Sequence, residues 1–526
     1  MSISQIPVFI FYYLPLVFLF CAASLISQEL QESSTQNQTN LQSTGAVALD
    51  GTVYIIRDIR YFINGRTKET ALERMGAFNT GERFNGLEEL NTYITEKMQV
   101  LNNIRPLEPD KNAITYTLGE AEPDGIIPVQ LDVSVSDSIN LIFFPVPKYD
   151  SNSGLELAVY LREYNFLGNL APLRLDIFWK NDDNDRSSLG FEADFSIPFQ
   201  LFTYNWTVSF FNEFLWYFND NFAHNTSILD ISMELPVSYT ILTFGLEQGL
   251  VVREENTGKV AAFEDNSGDY HDYYLYTKPY ILWYIPTPIE VGSFGQLVYT
   301  PGIYGIINYQ LGGDVGDYRR GPGAGINQEL GLEKINWQGN FRQGIKLSLN
   351  NNNEYNFFRE EWIHSLGLEV HAHAAVNRLL GISSRFQYTK WFNDYYEEAG
   401  DVIRGYKDNE LHARERLSIN LDFPFRLIRF ALSEWTGNRK LRYFDFEQHW
   451  SPFIDLLLVD TVDSSYQFTF QDLVVAAGLE IITFPLSWRS FYIRASIGWN
   501  MNQWFEQGRP PGGIHREIYI GTGHYY

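Results

Sequence analysis

From residue 139 onward, apolar and polar residues alternate with a period of two in segment after segment. Leu155, Leu157, Val159 and Leu161 interleave with Glu156, Ala158, Tyr160 and Arg162, and Leu173, Leu175 and Ile177 interleave with Arg174 and Asp176. The dyad returns at 229–235, at 417–423 and, near the C-terminus, at 493–499. Period two places successive side chains on opposite faces of a strand. A soluble sandwich alternates too, but its apolar faces meet in one shared core. Here almost every segment to the end of the chain carries the same dyad, which fits a closed transmembrane barrel, apolar outside and polar inside. Counting gives about sixteen antiparallel strands, because closure of a single chain needs an even number.

The pattern before residue 139 is different. Residues 6–26 are almost wholly apolar, and residues 1–27 are expected to be an export signal. Cys21 lies inside it, behind the bulky Phe20, so removal of the signal leaves a mature chain without cysteine. Residues 28–50 are rich in Ser, Thr, Gln and Asn and are expected to form a flexible linker. Within 51–137, Val53 to Ile56 is expected to be a strand. A short helix is expected over 67–75, capped by Thr67. Leu87, Leu90, Tyr93, Ile94, Met98 and Leu101 give a second helix with one apolar face, and 113–118 and 128–136 are expected to be strands. The expected order is β-α-α-β-β.

Composition narrows the classes. The chain has 526 residues, of which 16% are aromatic (39 Phe, 33 Tyr, 12 Trp) and only 20% charged. Aromatic side chains form the interfacial girdles of membrane barrels. Mean hydropathy is −0.21, and after the N-terminus no run reaches the roughly 18 apolar residues of a spanning helix. A net charge of −25 argues against nucleic acid, whose binding depends on basic residues neutralising phosphates. No metal signature, nucleotide fingerprint or nucleophile elbow is present. The glycine-rich run 319–325 lacks the strand-to-helix context of a phosphate loop. His371 and His373 share a strand face, but no third ligand accompanies them or His364. No enzyme activity and no cofactor are expected.

Three features carry the functional expectation. Arg404-Gly405-Tyr406 lies in a polar loop, with five strands expected after it. Phe453-Ile454-Asp455 follows on a later strand, and the chain ends on Tyr525-Tyr526. Their order and spacing resemble the BamA/TamA family of outer-membrane assembly proteins, and the turn Asn165-Phe166-Leu167-Gly168 resembles that family too. The segment 51–137, with its Gly81-Glu82-x-Phe84 stretch, resembles a POTRA (polypeptide-transport-associated) domain and leaves 138–526 as the barrel. That family usually carries several such domains; here there is one.

The resemblance implies that the loop folds into the barrel and that Arg404 meets Asp455, with Tyr406 against the inner wall; the other reading is a solvated loop. A second acidic partner is expected four residues before a proline, where this chain has Asn420 ahead of Pro424; Asp422 shares its face. The first barrel strand is expected at 155–164, from Leu155 to Tyr164, paired with the terminal strand that carries Gly521, Gly523 and Tyr526. The two glycines either weaken that seam or relieve crowding. The implied function is to assist insertion or translocation of client proteins by strand addition at the seam; the alternative is a surface antigen or passive pore on the same scaffold. Implied partners are outer-membrane lipids, unfolded outer-membrane client proteins and periplasmic or lipoprotein accessory subunits. The implied location is the outer membrane of a diderm bacterium, with the POTRA domain in the periplasm.

Overall fold

The computed structural model describes residues 52–522 apart from 124, 182–186, 219–221, 254–259, 263–271, 311–320, 394, 463–465 and 508–515. The expected signal, the whole of the expected linker 28–50, Arg319, Arg320, Gly523 and Tyr526 lie outside the described residues. The chain divides into two compact units. The first comprises residues up to Ile142 with Arg162–Pro172 and Leu486–Ser490; the second comprises the remainder.

In the first unit the strands are β1 (Val53–Asn64), β2 (Arg83–Asn85), β3 (Ala113–Leu118) and β4 (Ile127–Ser136). The helices are α1 (Glu69–Gly76) and α2 (Leu87–Asn103). The sheet order is β2-β1-β4-β3, with β1 and β4 parallel. Strict alternation in β4 buries Val129, Leu131, Val133 and Val135 on one face, where they share a core with Leu72, Leu90, Ile94 and Leu101 from the helices. The short β2 between the helices was not expected, because three residues give too little periodicity to read. The expected cap is corrected as well. Lys68 occupies the N-cap of α1 without a side-chain hydrogen bond, and the Thr67 hydroxyl donates instead to Asp137 Oδ1 at 2.5 Å.

That unit is not contiguous in sequence. Asn165 is fully buried; its Nδ2 donates to Thr67 Oγ1 (2.8 Å) and Asp137 Oδ2 (3.1 Å), and its Oδ1 accepts from the Leu170 amide (2.9 Å). Leu170 enters the core of the sheet and helices. The Asn-Phe-Leu-Gly turn is therefore structural here: it closes a polar network around Asp137 and fills an apolar site.

The second unit is a closed antiparallel barrel of eighteen strands, not sixteen. Proline explains the miscount. Pro145 and Pro147 sit inside the first strand, Leu141–Asp150, and Pro279, Pro286 and Pro301 sit inside Asp272–Glu290 and Gln296–Gln310. Proline reads as a strand terminator in sequence, yet each of these is carried within a ladder or at a shift of register, as at Pro286. The strand expected to be first, from Leu155 towards Tyr164, is the second (Gly154–Glu163). Five strands follow Arg404, the first of them interrupted near Pro424. At the end where the first strand begins, turns are as short as residues 202–203, 238–239 and 339–340. Positive φ at Phe202 (52°), Thr203 (70°) and Ser238 (59°) matches the handedness that tight hairpins need.

Asn165→Ala should cost about 1–3 kcal/mol, because it leaves the Asp137 carboxylate and the Leu170 amide short of buried partners. Hydrogen exchange on the whole protein should show faster labelling at 64–76 and 165–172, with the barrel strands unchanged. Unchanged exchange at both segments would mean that the network contributes nothing.

Candidate functional site

Three neighbouring strands, His412–Asp422, Phe446–Thr461 and Val474–Pro485, build the site by parity alone. Leu417, Ile419 and Leu421 point away from the interior, so Ser418, Asn420 and Asp422 point into it. On the next strand Phe453 and Asp455 face inward while Ile454 faces out. The register sets Asn420 opposite Asp455 and Asp422 opposite Phe453. On the third strand Val474, Ala476 and Glu480 are buried.

The segment between Tyr395–Glu398 and His412–Asp422 folds onto this wall. Arg404 is 2% exposed. Its Nε and backbone amide donate to Asp455 Oδ2 at 2.8 and 3.0 Å, and its Nη2 donates to Asp455 Oδ1 at 2.7 Å. Nη1 donates to Asp422 Oδ1 at 2.8 Å and lies 3.9 Å from Glu480 Oε2. The guanidinium also sits 3.5 Å above the centre of the Phe453 ring. Arginine suits this position because its planar fork binds a carboxylate bidentately and stacks on an aromatic face.

Gly405 explains how the loop gets so close. Its φ is +100°, and a Cβ there would stand 3.0 Å from the Trp499 backbone. On the opposing strand, a Cβ at Gly498 would stand 2.8 Å from the Gly405 nitrogen. Beyond Gly405 the loop becomes apolar. Tyr406 packs with Val402, Ile403, Leu457, Val459, Val474 and Ala476 in a cluster inside the barrel.

The remaining expected residues take other roles. Asn420 does not touch the guanidinium; its Nδ2 donates to the Val402 carbonyl at 3.0 Å and so holds the loop backbone. Asp422 supplies the second carboxylate. The terminal strand pairs with Leu141–Asp150 and not with the strand of Leu155; among the described residues the junction is Tyr519 opposite Asp150 and Ile520 opposite Tyr149. Gly521 lies opposite Arg494, and a Cβ there would run into the Tyr519 ring. His371 pairs with Glu369 (2.8 Å) and His373 with Ser383 (2.9 Å).

Sequence reasoning missed several members of the site. Arg494 contacts Glu480 at 3.2 Å and lies 4.0 Å over the Tyr519 ring. Arg416 donates to Asp401 at 2.7 Å and pairs with Glu397 at 2.9 Å. Glu517 on the last strand accepts from the Gly405 amide at 2.8 Å, and Asn152, in the turn after the first strand, accepts from the Asp408 amide at 3.0 Å. The inward parity of Glu480 was readable; the reach of the loop to Glu517 and Asn152 had no sequence signal.

Fold and site thus define a closed β-barrel whose interior is partly filled by its own loop, pinned there by a buried arginine. Among solved structures, CdiB from Acinetobacter baumannii is similar at 12% identity and a TM-score of 0.46, over 89% of this chain and 74% of that chain. CdiB from Escherichia coli is similar at 10% identity and 0.41, over 95% and 97%. BamA from Haemophilus ducreyi lacking POTRA domains 1-3 is similar at 12% and 0.37, over 89% and 85%. These likenesses are too distant to carry an argument about this chain. No protein family and no curated protein matches the sequence.

Asp455→Ala removes both acceptors of the fork and should destabilise the seated loop by about 3–5 kcal/mol, because one charge is left buried and underpaired. Arg404→Ala should do the same, and the double variant should cost less than the sum. Protease accessibility of 395–411 in the refolded barrel measures this; strict additivity would show that the two groups do not interact.

Gly405→Val should unseat the loop without altering any charge, since the new side chain meets the backbone of Trp499. Rapid cleavage within 395–411, with the strands still protected, is the expected result; protection equal to wild type would refute the close-approach argument.

Proposed function

We propose that this chain is an outer-membrane barrel of the BamA/TamA kind, which assists insertion or translocation of client proteins by strand addition at the seam between its first and last strands. The observation that carries this reading is the seam itself. Among the described residues the last strand meets the first at Tyr519 opposite Asp150 and Ile520 opposite Tyr149, and the Ser151 amide donates to the Ile518 carbonyl at 3.0 Å. A junction between the first and last strands is where an incoming strand can replace one partner and take up the same backbone donors and acceptors. The buried loop grips both sides of that junction, through Glu517 on one and Asn152 on the other.

Membrane residence is supported by the outward strand positions. Leu155, Leu157 and Val159 are exposed on the second strand, as are Ile303 and Ile307 further round. Such a surface is unfavourable in water and natural in hydrocarbon. The α+β unit, read as a POTRA domain, would offer its sheet to clients in the periplasm. No nucleotide or cofactor is required: unpaired backbone is costly in lipid, so client folding itself supplies the driving force.

A second reading, a surface antigen or passive pore on this scaffold, is favoured by the closure of the barrel at that same seam. One experiment separates the two. Tyr149→Cys with Ile520→Cys places two thiols opposite each other, with Cβ atoms about 4.5–5.5 Å apart, in a chain whose only natural cysteine is Cys21. Oxidation should lock the seam and abolish assembly of client barrels, read from the outer-membrane proteome. A locked barrel that leaves client assembly unchanged would overturn the insertase reading in favour of the passive one.

A further inference from the structure

The stretch 431–445 is the least barrel-like part of the end where the first strand begins. Other turns at that end are two residues long, as at 202–203 and 238–239, whereas this one forms a short helix (Leu432–Thr436) and a 3-10 helix (Arg439–Phe444). The fold is specific. Asp445 is buried and accepts from the amide and hydroxyl of Ser433, and the Asn438 side chain accepts from the Lys440 amide to start the second helix. An aromatic ladder leads outward from the strands, with Phe446 stacked on Phe430 (5.4 Å) and Phe430 edge-on to Trp435 (4.9 Å).

This ordered segment faces solvent with residues that should avoid it. Trp435 is 64% exposed and Phe444 63%. Phe202 and Tyr239, in the short turns at the same end, are exposed as well. Among them lies positive charge that the rest of a chain of net charge −25 does not match. Arg429 is spent on Glu434 (3.1 Å). Arg442 lies over the Tyr443 ring (5.4 Å), and Arg439 and Lys440 are exposed with no ion pair among the described residues. The two acidic residues of the stretch, Glu434 and Asp445, are both engaged.

We propose that 431–445 is a lipid-headgroup anchor: Trp435 and Phe444 enter the membrane interface, and Arg439, Lys440 and Arg442 bind anionic phospholipid headgroups of the leaflet at that end. The inference rests on the membrane reading of the barrel. Aromatic rings partition to the interfacial layer while basic side chains meet anionic headgroups; here one rigid segment presents both. An order-making fold beneath the patch means that little conformational entropy is lost on contact.

The test uses the whole protein refolded into phosphatidylcholine vesicles with and without phosphatidylglycerol. Protease protection of the strands reports insertion. Brominated phosphatidylglycerol reports contact through the emission lost between wild type and Trp435→Phe. The expected result is insertion in both vesicle types, with the Trp435 emission quenched by brominated phosphatidylglycerol much more than by brominated phosphatidylcholine. Arg439→Glu, Lys440→Glu and Arg442→Glu together should remove that preference with the strands still protected. Inserted barrels whose Trp435 emission is unquenched, or quenched equally by both lipids, would overturn the anchor and leave the membrane reading standing. Failure to insert in either vesicle would overturn the membrane reading, and the anchor with it.

Discussion

A β-sheet with a free edge leaves a row of backbone donors and acceptors unpaired, and this one removes its edges by closing on itself. Closure dictates most of what this chain looks like. It fixes an even number of antiparallel strands, eighteen here, and it fixes the alternation along each strand, because the same backbone turns one face outward and the other to the interior. It also creates a volume. Eighteen strands enclose more than their own side chains fill, and part of that space is taken by the segment that carries Arg404. The apolar cluster around Tyr406 is thus a small core built inside a barrel, from a loop and the inner faces of three strands.

The price of that arrangement is a guanidinium removed from solvent. Burying a charge costs several kcal/mol unless geometry and hydrogen bonds compensate. The compensation here is dense: two carboxylates, an aromatic face and a third carboxylate at longer range surround one side chain. None of these groups belongs to the loop's own neighbours in sequence. They come from three strands, and Glu480 is shared with Arg494, which ties the cluster to Tyr519 on the last strand. Charge pairing in the interior and strand pairing at the seam are therefore parts of one connected set of contacts.

Much of this was legible in the sequence because period two is a strong signal and parity is unforgiving. Once Leu417, Ile419 and Leu421 are placed outward, Asn420 and Asp422 must face in. The order of Arg404, Asp455 and the aromatic terminus was likewise visible. The illegible parts have physical reasons. Prolines inside ladders hid strands, so the first strand, Leu141–Asp150, was passed over and its partner at the seam was misassigned. Thr67 looked like a cap because its spacing was right, but a stronger acceptor, Asp137, lies 70 residues away in sequence. Asn420 stood where a carboxylate was expected, and the chain places that charge one inward position along, at Asp422. The reach of Gly405 to Glu517 and of Asp408 to Asn152 spans 112 and 256 residues, and no local pattern reports on separations of that size.

The opposition of Asn420 to Asp455 and of Asp422 to Phe453 has a consequence for how the barrel assembles. Strand pairing is degenerate in hydrogen-bond energy, and a slip of one residue exchanges every inward side chain for an outward one. A slip between these strands would send Asp455 to the outer face and bring Ile454 to the interior, where Arg404 would lose the carboxylate that holds its fork. A slip of two keeps the parity but moves the carboxylate a full repeat along the strand, out of reach of a loop whose backbone is wedged against Trp499. The arginine can be neutralised in one register alone. Since its partners sit on three of the five strands that follow the loop, it acts as a checksum: the loop seats only where those strands have been paired without error.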